Sequence, residues 1–295
     1  MTKKNKNFSL AVIVVVILLS AMVFRFYNNW QTLKKIESNK TGDTAYARLI
    51  TRKDTEALPK APAGRSIKLP ILMYHHVGPL PEKPTGLRRD LTVSAEEFTA
   101  QVKWLKDNGY TSIHLSDLRD FAAGKFTMPK NPVIFTFDDG YEDVFLYAAP
   151  ILKQNGFSGS FAIITQFPGT QNGDNFYASW NEIAKAYDAG NEIVSHTQDH
   201  FDGKNPKFSN DFIYKNLCDS KNDISSHLGF NTDILIYPYG HYTANYIKQA
   251  KACGFDLGIT VHEGNRVNLE NLMEIPRIRV HGRQDFEKFK QLVAE

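Results

Sequence analysis

From Ile67 to the C-terminus of this 295-residue chain, short apolar runs alternate with helix-like segments, and this alternation constrains the fold more than any other feature. Eight strand candidates stand at 68–76, 111–115, 132–138, 159–165, 191–196, 233–238, 256–261 and 275–280. They are short and nearly continuous in Ile, Val, Leu and Phe, as strands buried on both faces are. Helix signals fall between them. Ser94-Ala95-Glu96-Glu97 offers a Ser cap with Glu three residues on; Phe98, Val102 and Leu105 follow on one stripe, and Asn108-Gly109 stops it. Ser116-Asp117 opens a second helix ending near Gly124. Segments 141–154 and 179–189 repeat the pattern, with Gly156 and Gly190 just past their ends. Strand, helix, strand in succession requires crossovers, and so a parallel sheet that is wound or closed. Polar residues gathered at strand ends favour closure into a barrel, whose carboxyl-end loops carry chemistry.

Two strand ends stand out. Pro132–Phe135 runs into Thr136-Phe137-Asp138-Asp139-Gly140, and Glu192-Ile193-Val194 runs into Ser195-His196-Thr197-Gln198-Asp199-His200. Neighbours on a strand point to opposite faces, but Gly140 allows a sharp turn that lets Asp138 and Asp139 border one pocket. The four-residue spacing of His196 and His200 would place both on one side of a single helical turn. Two imidazoles, a carboxylate ligand and a carboxylate to spare form the inventory of a mononuclear site that activates water. Taken singly, Asp-Asp-Gly reads as a solvated turn and His-x-x-x-His as a surface pair. Their joint occurrence after buried-type strands favours the site. Adjacent carboxylates are poorly placed for a glycosidase, which needs two carboxyl groups across a sugar bond.

Composition excludes more than it specifies. A hydrophobic content of 42% and 23% charged residues are those of an ordinary globular protein. A net charge of +3, with no Lys/Arg block beyond the N-terminus, gives no basis for nucleic-acid binding. Aromatics at 12% suit a large core as well as a sugar cleft. Phe8 to Phe24 is a 17-residue run without charge, preceded by Lys3, Lys4 and Lys6 and followed by Phe26, Tyr27 and Trp30. That pattern reads as a single span of the cytoplasmic membrane at the short end of the usual length, with the bulk of the chain outside. An uncleaved anchor over 1–30 is favoured over a secreted form, because Leu19-Ser20-Ala21 puts a large residue where signal cleavage wants a small one. The polar stretch 31–66 reads as a stalk with some helix around 44–57, and 67–295 as one catalytic domain. Cys218 and Cys253 could pair in an exported protein, but two buried free thiols read at least as well.

The quoted motifs resemble a known family. Thr136–Gly140 and His196–His200 are similar to the first two motifs of the polysaccharide deacetylases, carbohydrate esterase family 4. Ile236-Tyr237-Pro238-Tyr239-Gly240 resembles that family's Pro-Tyr-Gly motif. Ile71-Leu72-Met73-Tyr74-His75-His76-Val77 resembles the opening of the circularly permuted, intercellular-adhesin-type branch that deacetylates poly-N-acetylglucosamine. The resemblance spans residues 68–282. It implies a distorted α/β barrel of the (β/α)7, NodB-homology type, with about seven strands. It assigns Asp139, His196 and His200 to one divalent metal ion, zinc first, with cobalt, nickel or iron as alternatives. Asp138 becomes the general base, His75 rather than His76 the general acid, and the Tyr239 N–H a donor to the oxyanion. The arginine that the family usually carries two residues before the Pro is here Ile236. Arg277 is the expected replacement in orienting the base and Arg279 the alternative, the two being taken to alternate faces so that at most one enters the barrel. Tyr239, Trp180 and Tyr141 are candidate substrate contacts, though Trp180 and Tyr141 suit core packing equally. Asp199 is a candidate partner of the ligands. His114, His227, His241, His262 and His281 lack ligand-like company and read as structural. The implied activity is removal of N-acetyl groups from an extracellular N-acetylglucosamine polymer. Poly-N-acetylglucosamine comes first, then peptidoglycan or chitin oligomers. A non-catalytic, membrane-anchored carbohydrate-binding barrel and an O-acetyl esterase are the alternatives.

Overall fold

The computed structural model describes residues 66–294. The expected anchor over 1–30, and the stalk with its helix around 44–57, lie outside the described residues except for Ser66, which belongs to the first strand and not to the stalk. No helix within them is long and apolar enough to cross a membrane. The strands are β1 (Ser66–Lys68), β2 (Ile71–Tyr74), β3 (His76–Val77), β4 (Thr92–Val93), β5 (Thr111–Ser112), β6 (Pro132–Phe137), β7 (Ser160–Ile163), β8 (Gln171–Asn172), β9 (Asn175–Phe176), β10 (Glu192–Ser195), β11 (Ile234–Ile236), β12 (Leu257–Glu263), β13 (Arg266–Asn268) and β14 (Ile275–Arg279).

Seven of these close a parallel barrel in the order β2, β14, β12, β11, β10, β7, β6. Closure is made by β6 on β2, in register from Ile71↔Ile134 to Tyr74↔Phe137. β5 pairs with β6 only at Pro132 and Val133, below the point where β7 joins at Thr136, so the eighth expected strand stays outside the wall. The barrel is uneven. β10 and β11 share the single pair Ser195↔Leu235, and the register of β12 on β14 shifts between Ile259 and Glu263. The antiparallel pairs β1–β13 and β8–β9 were not expected as such, β1 sharing only Lys68 with the expected strand 68–76, because two or three residues carry no readable period.

Alternation along each strand sorts the core. Ile71, Ile134, Ala162, Val194, Ile236, Ile259 and Ile275 belong to one buried cluster that fills the barrel. Their neighbours Leu72, Phe135, Phe161, Ile193 and Ile278 belong to a second cluster, packed against helices. Burying both faces is why these strands read as unbroken apolar runs.

The helix Ala95–Asp107 starts as expected, with a capping box between Ser94 and Glu97. The next begins at Leu115, one residue before Ser116, with His114 at its cap position. Its first amides are taken by a distant residue. Glu192, which opens β10, accepts from Leu115 N–H at 3.0 Å and Ser116 N–H at 3.1 Å, seating the helix under the amino end of the barrel. The 141–154 segment is not one regular helix. Val144–Ala148 is π-helical and Ala149–Asn155 is α-helical. Pro150, at the start of the α segment, cannot donate to the preceding turn, and this accounts for the widened geometry. The longest helix among the described residues, Asn210–Leu228, is tied to Ala244–Ala252 by a Cys218–Cys253 disulfide with Cα atoms 5.3 Å apart. The two cysteines are therefore not free thiols. They lie 35 residues apart in the chain, and only the packing of the two helices brings them together.

Candidate active site

The parity that fills the barrel also aims the polar residues. Asp138 continues the inward row of Ile134 and Thr136; His75 follows Ile71 and Met73; His196 follows Val194; Arg277 follows Ile275. Each stands above the aliphatic layer at the carboxyl end of its strand. By parity Asp139 should face outward. Its φ of 72°, followed by 75° at Gly140, swings it back over the same opening. A Cβ at Gly140 would stand 3.3 Å from Ile163 Cδ1, so the turn is close as well as left-handed. Thr197, His200 and Tyr239 also take left-handed backbone, at φ 67°, 63° and 58°. Such residues cost about 1–3 kcal/mol each and tend to cluster where function holds them. His196 and His200 thus do not share a helical turn. The chain between them is a loop, pinned by Thr197 N–H on Ser195 Oγ at 3.1 Å and His200 N–H on Thr197 Oγ1 at 3.0 Å.

Asp139 Oδ1 lies 3.2 Å from Nε2 of both His196 and His200. These three residues form the one Asp/His group with metal-holding geometry among the described residues, their ligand atoms within 4.8 Å of one another. His196 Nδ1–H donates to the Ile236 carbonyl at 2.8 Å, which leaves Nε2 to face the carboxylate. A bare imidazole nitrogen against a carboxylate oxygen is repulsive unless a proton or a cation lies between them. Two imidazoles and one carboxylate are the donor set of a three-residue catalytic zinc site with room for a further ligand, so the residues fit a divalent cation. Burial raises Asp139, but the contacts from His196 and His200 outweigh it and hold the carboxyl well below its ordinary range. Burial pushes His196 down, and its Asp139 contact and the charges of Asp138 and Asp139 lift it to a net upward shift. The Tyr141 hydroxyl hydrogen-bonds both Asp139 and Tyr177.

Asp138 has a different partner. Arg277, wholly buried, grips it with both arms: Nη1–H donates to Oδ1 at 2.7 Å and Nη2–H to Oδ2 at 2.8 Å. Two further donors are directed elsewhere, Nη1–H to the Thr136 hydroxyl at 2.9 Å and Nε–H to the Thr260 carbonyl at 2.8 Å. Burial raises Asp138, and the charge and hydrogen bonds of Arg277 reverse that to a net downward shift, so the carboxyl stays ionised. Arg277 is thus the arginine that meets Asp138, while Ile236 packs in the apolar cluster. Residues two apart share a strand face, so alternation does not separate Arg277 from Arg279, contrary to the expectation. Height along the strand does. Arg279, the last residue of β14, is partly exposed and donates to Asp90 at 3.0 Å.

His75 Nε2 sits 3.9 Å from Asp138 Oδ2. Burial lowers its pKa, with the two aspartates opposing and the two arginines reinforcing. His76 faces elsewhere. Its Nδ1–H donates to Asp143 Oδ2 at 2.7 Å, its Nε2 accepts from Arg88 Nη1 at 2.8 Å, and its ring stacks on Tyr141 with centroids 3.8 Å apart.

Tyr239 puts its exposed ring against His200, centroids 4.6 Å apart. The turn at Pro238–Gly240 is closed by Gly240 N–H and His241 N–H, not by Tyr239 N–H. Trp180 does not join this group; its half-buried ring stacks on His227 at 4.2 Å. Asp199 accepts from Phe201 N–H at 3.2 Å and so shapes its own loop. His241 and His281 pair with Asp202 and Asp90, each at 2.9 Å, away from the ligand group. Tyr177, Thr260, Arg88 and Asp143 were not singled out in the sequence. Each is placed by a partner far along the chain, and no local pattern announces it.

Comparison with known proteins is consistent across sequence and structure. A sequence model described as polysaccharide deacetylase matches residues 125–258. Both His75 and Arg277 fall outside that match. The Bacillus subtilis (strain 168) protein YxkH, named as a polysaccharide deacetylase, is 30% identical over 268 residues, which is 89% of this chain and 88% of that protein. The poly-β-1,6-N-acetyl-D-glucosamine N-deacetylase of Staphylococcus aureus (strain N315) is 30% identical over 201 residues, 65% of this chain and 69% of that one. Among solved structures, the Streptococcus pyogenes deacetylase PplD in complex with acetate matches with a TM-score of 0.68 and 26% identity, over 77% of this chain and 98% of that chain.

Proposed function

The chain belongs to the polysaccharide deacetylase family, and from that premise we propose that it hydrolyses N-acetyl groups on an extracellular N-acetylglucosamine polymer, with poly-β-1,6-N-acetylglucosamine the first substrate to test. The observation that carries this reading is the pairing of two carboxylates with two different environments. Asp139 faces two imidazoles, and Asp138 is held ionised by a buried arginine. A divalent cation held by Asp139, His196 and His200, with zinc first and cobalt, nickel or iron as alternatives, would polarise a carbonyl and lower the pKa of water.

The chain's own residues supply the rest. Asp138 takes the proton of the attacking water, and Arg277 fixes the carboxylate's plane and keeps it charged. The new C–O bond forms as the carbonyl oxygen gains negative charge, and Tyr239 N–H, on its left-handed turn, donates to that oxygen. His75 stands across from Asp138 and delivers a proton to the nitrogen as the C–N bond breaks. Acetate and a free amine are the products.

The uncharged run 8–24 supports a membrane-anchored enzyme whose domain 67–295 works outside the cytoplasmic membrane on a stalk, with secretion after cleavage as the other outcome. The Cys218–Cys253 disulfide supports the same side, since such bonds persist in oxidising compartments.

The test is acetate release from β-1,6-linked N-acetylglucosamine oligomers, with chelator and with zinc restored. Chelator should abolish release and zinc should restore it. Release from O-acetylated sugars alone would replace the N-deacetylase reading with an esterase.

A further inference from the structure

One face of the helix Asn210–Leu228 carries a polar row, Asn216, Ser220 and Asp223, at spacings of four and three. Asn216 is 4% exposed and Ser220 is wholly buried. A buried polar group is costly unless it is hydrogen-bonded, and an apolar residue would fill either place without that demand. The bonds these residues make across to the sheet all meet the chain around Thr197 and Gln198, between the two histidines that face Asp139.

Asn216 Oδ1 accepts from Gln198 N–H at 2.9 Å. The single proton of Ser220 Oγ goes to the Leu217 carbonyl at 2.7 Å, so toward the Ser195 hydroxyl, also at 2.7 Å, Ser220 is the acceptor. Ser195 Oγ in turn accepts from Thr197 N–H at 3.1 Å. Asp223 Oδ2 takes the Thr165 hydroxyl at 2.6 Å and Gln198 Nε2–H at 3.4 Å. From the loop after β7, Thr165 N–H and Gln166 N–H donate to the carbonyls of Thr197 and Gln198 at 3.1 and 2.9 Å. Every backbone polar group of Thr197 and Gln198 is therefore engaged. These bonds hold Thr197 at φ 67°, a conformation that a β-branched residue rarely adopts. The helix that supplies them is itself anchored. The Cys218–Cys253 disulfide ties it to Ala244–Ala252, and Ile213 and Leu217 pack with Leu235 and Tyr246.

We propose that Asn216 and Ser220 are positioning residues that brace the His196–His200 loop, keeping the two imidazoles at metal-holding distance from Asp139. They act through Gln198 and through Ser195 and Thr197, and touch neither the ligand atoms nor the substrate. This rests on the deacetylase reading above, through the divalent cation that Asp139, His196 and His200 fit. Without the brace Thr197 relaxes toward extended backbone, which carries His200 away from His196.

The experiment titrates chelator-stripped full chain with zinc against a chromophoric chelator, records the visible bands of the cobalt-loaded protein, and measures acetate release in parallel. Asn216→Leu fills the same space but cannot accept; it should weaken zinc binding about tenfold, as loss of groups that orient metal ligands does, and alter the cobalt bands. Ser220→Ala, which removes one hydroxyl, should act in the same direction by about threefold and carries the test if Asn216→Leu does not fold. Asn216→Asp keeps an acceptor oxygen in place and should bind zinc nearly as wild type does. Ile224→Ala truncates a wholly buried residue of the same helix that has no polar atom to offer the loop. It should lower the melting temperature and leave zinc affinity unchanged. Unchanged zinc affinity and cobalt bands in Asn216→Leu and Ser220→Ala overturn the brace. An equal loss of affinity in Ile224→Ala also overturns it, because the effect is then general loosening of the helix. Zinc binding that weakens as expected, in a protein that releases no acetate from any N-acetyl sugar, upholds the brace and removes the deacetylase reading.

Discussion

Replacing Arg277 with Ala should be among the most destabilising single changes in the barrel. The guanidinium is fully buried and makes four hydrogen bonds, at 2.7 and 2.8 Å to Asp138, 2.9 Å to Thr136 and 2.8 Å to the Thr260 carbonyl. An exposed ion pair contributes about 0–1 kcal/mol. Here removal strands a carboxylate that is only 2% exposed, and breaking a buried pair costs about 3–5 kcal/mol. At about 2–4 °C per kcal/mol for a domain of this size, the melting temperature should fall by about 6–20 °C. The pH dependence has a definite sign. The folded pKa of Asp138 lies below its unfolded value of about 3.9, so the pair's contribution is complete above that value and is lost as pH falls through the folded pKa. In Arg277→Ala the buried, unpaired carboxyl shifts upward instead. The gap between wild type and variant should therefore be widest near neutrality and narrow in acid. Urea denaturation of chelator-treated protein between pH 4 and 7, in a cycle with Asp138→Asn, measures both effects. The cycle should return a coupling of about 1–3 kcal/mol. A loss below about 1 kcal/mol at pH 7, or a coupling indistinguishable from zero, would refute the buried-pair argument.

Three further outcomes are expected. His196→Ala and His200→Ala should each lose bound metal by elemental analysis, since each removes a nitrogen that faces Asp139 Oδ1 at 3.2 Å; full occupancy in both would remove the ligand assignment. His75→Ala should slow N-acetyl sugar oligomers by about 10²–10⁴ and aryl acetates far less, because a phenolate leaves without a proton. His76→Ala, whose ring is held by Asp143 and Arg88, should lose less on the oligomers, and equal losses on both substrates for His75→Ala would make His75 structural. Cys218→Ser should cost about 3–4 kcal/mol in urea denaturation, the chain-entropy value for a loop of 35 residues, and reductant should destabilise wild type but not the variant.

Much of this architecture was readable because parallel barrel strands are buried on both faces. Each of the eight expected segments overlaps an observed strand, from Ile71–Tyr74 to Ile275–Arg279, since an unbroken apolar run bounded by helix signals is a local property. Asp138 and His196 were readable for the same reason: they directly follow such runs, and period-two alternation aims them inward, whereas Asp139 and His200 were readable only as members of their motifs and reach the site through left-handed backbone. Other features had no local signal. The helix start at Leu115 depends on Glu192, 77 positions away. The His196–His200 loop takes left-handed turns at Thr197 and His200, a backbone region uncommon for any residue but glycine and least expected of the β-branched Thr197. Arg277 was one of two arginines with similar claims until closure of the barrel set β14 beside β2, and β2 beside β6. That brought Arg277 onto Asp138 across 139 positions of chain. The sequence by itself determined the elements and the residues at their ends, because periodicity and turn chemistry act within one element. Which of those ends meet was decided only by the tertiary structure, because the order of strands around a closed sheet sets the neighbours of every inward-facing side chain.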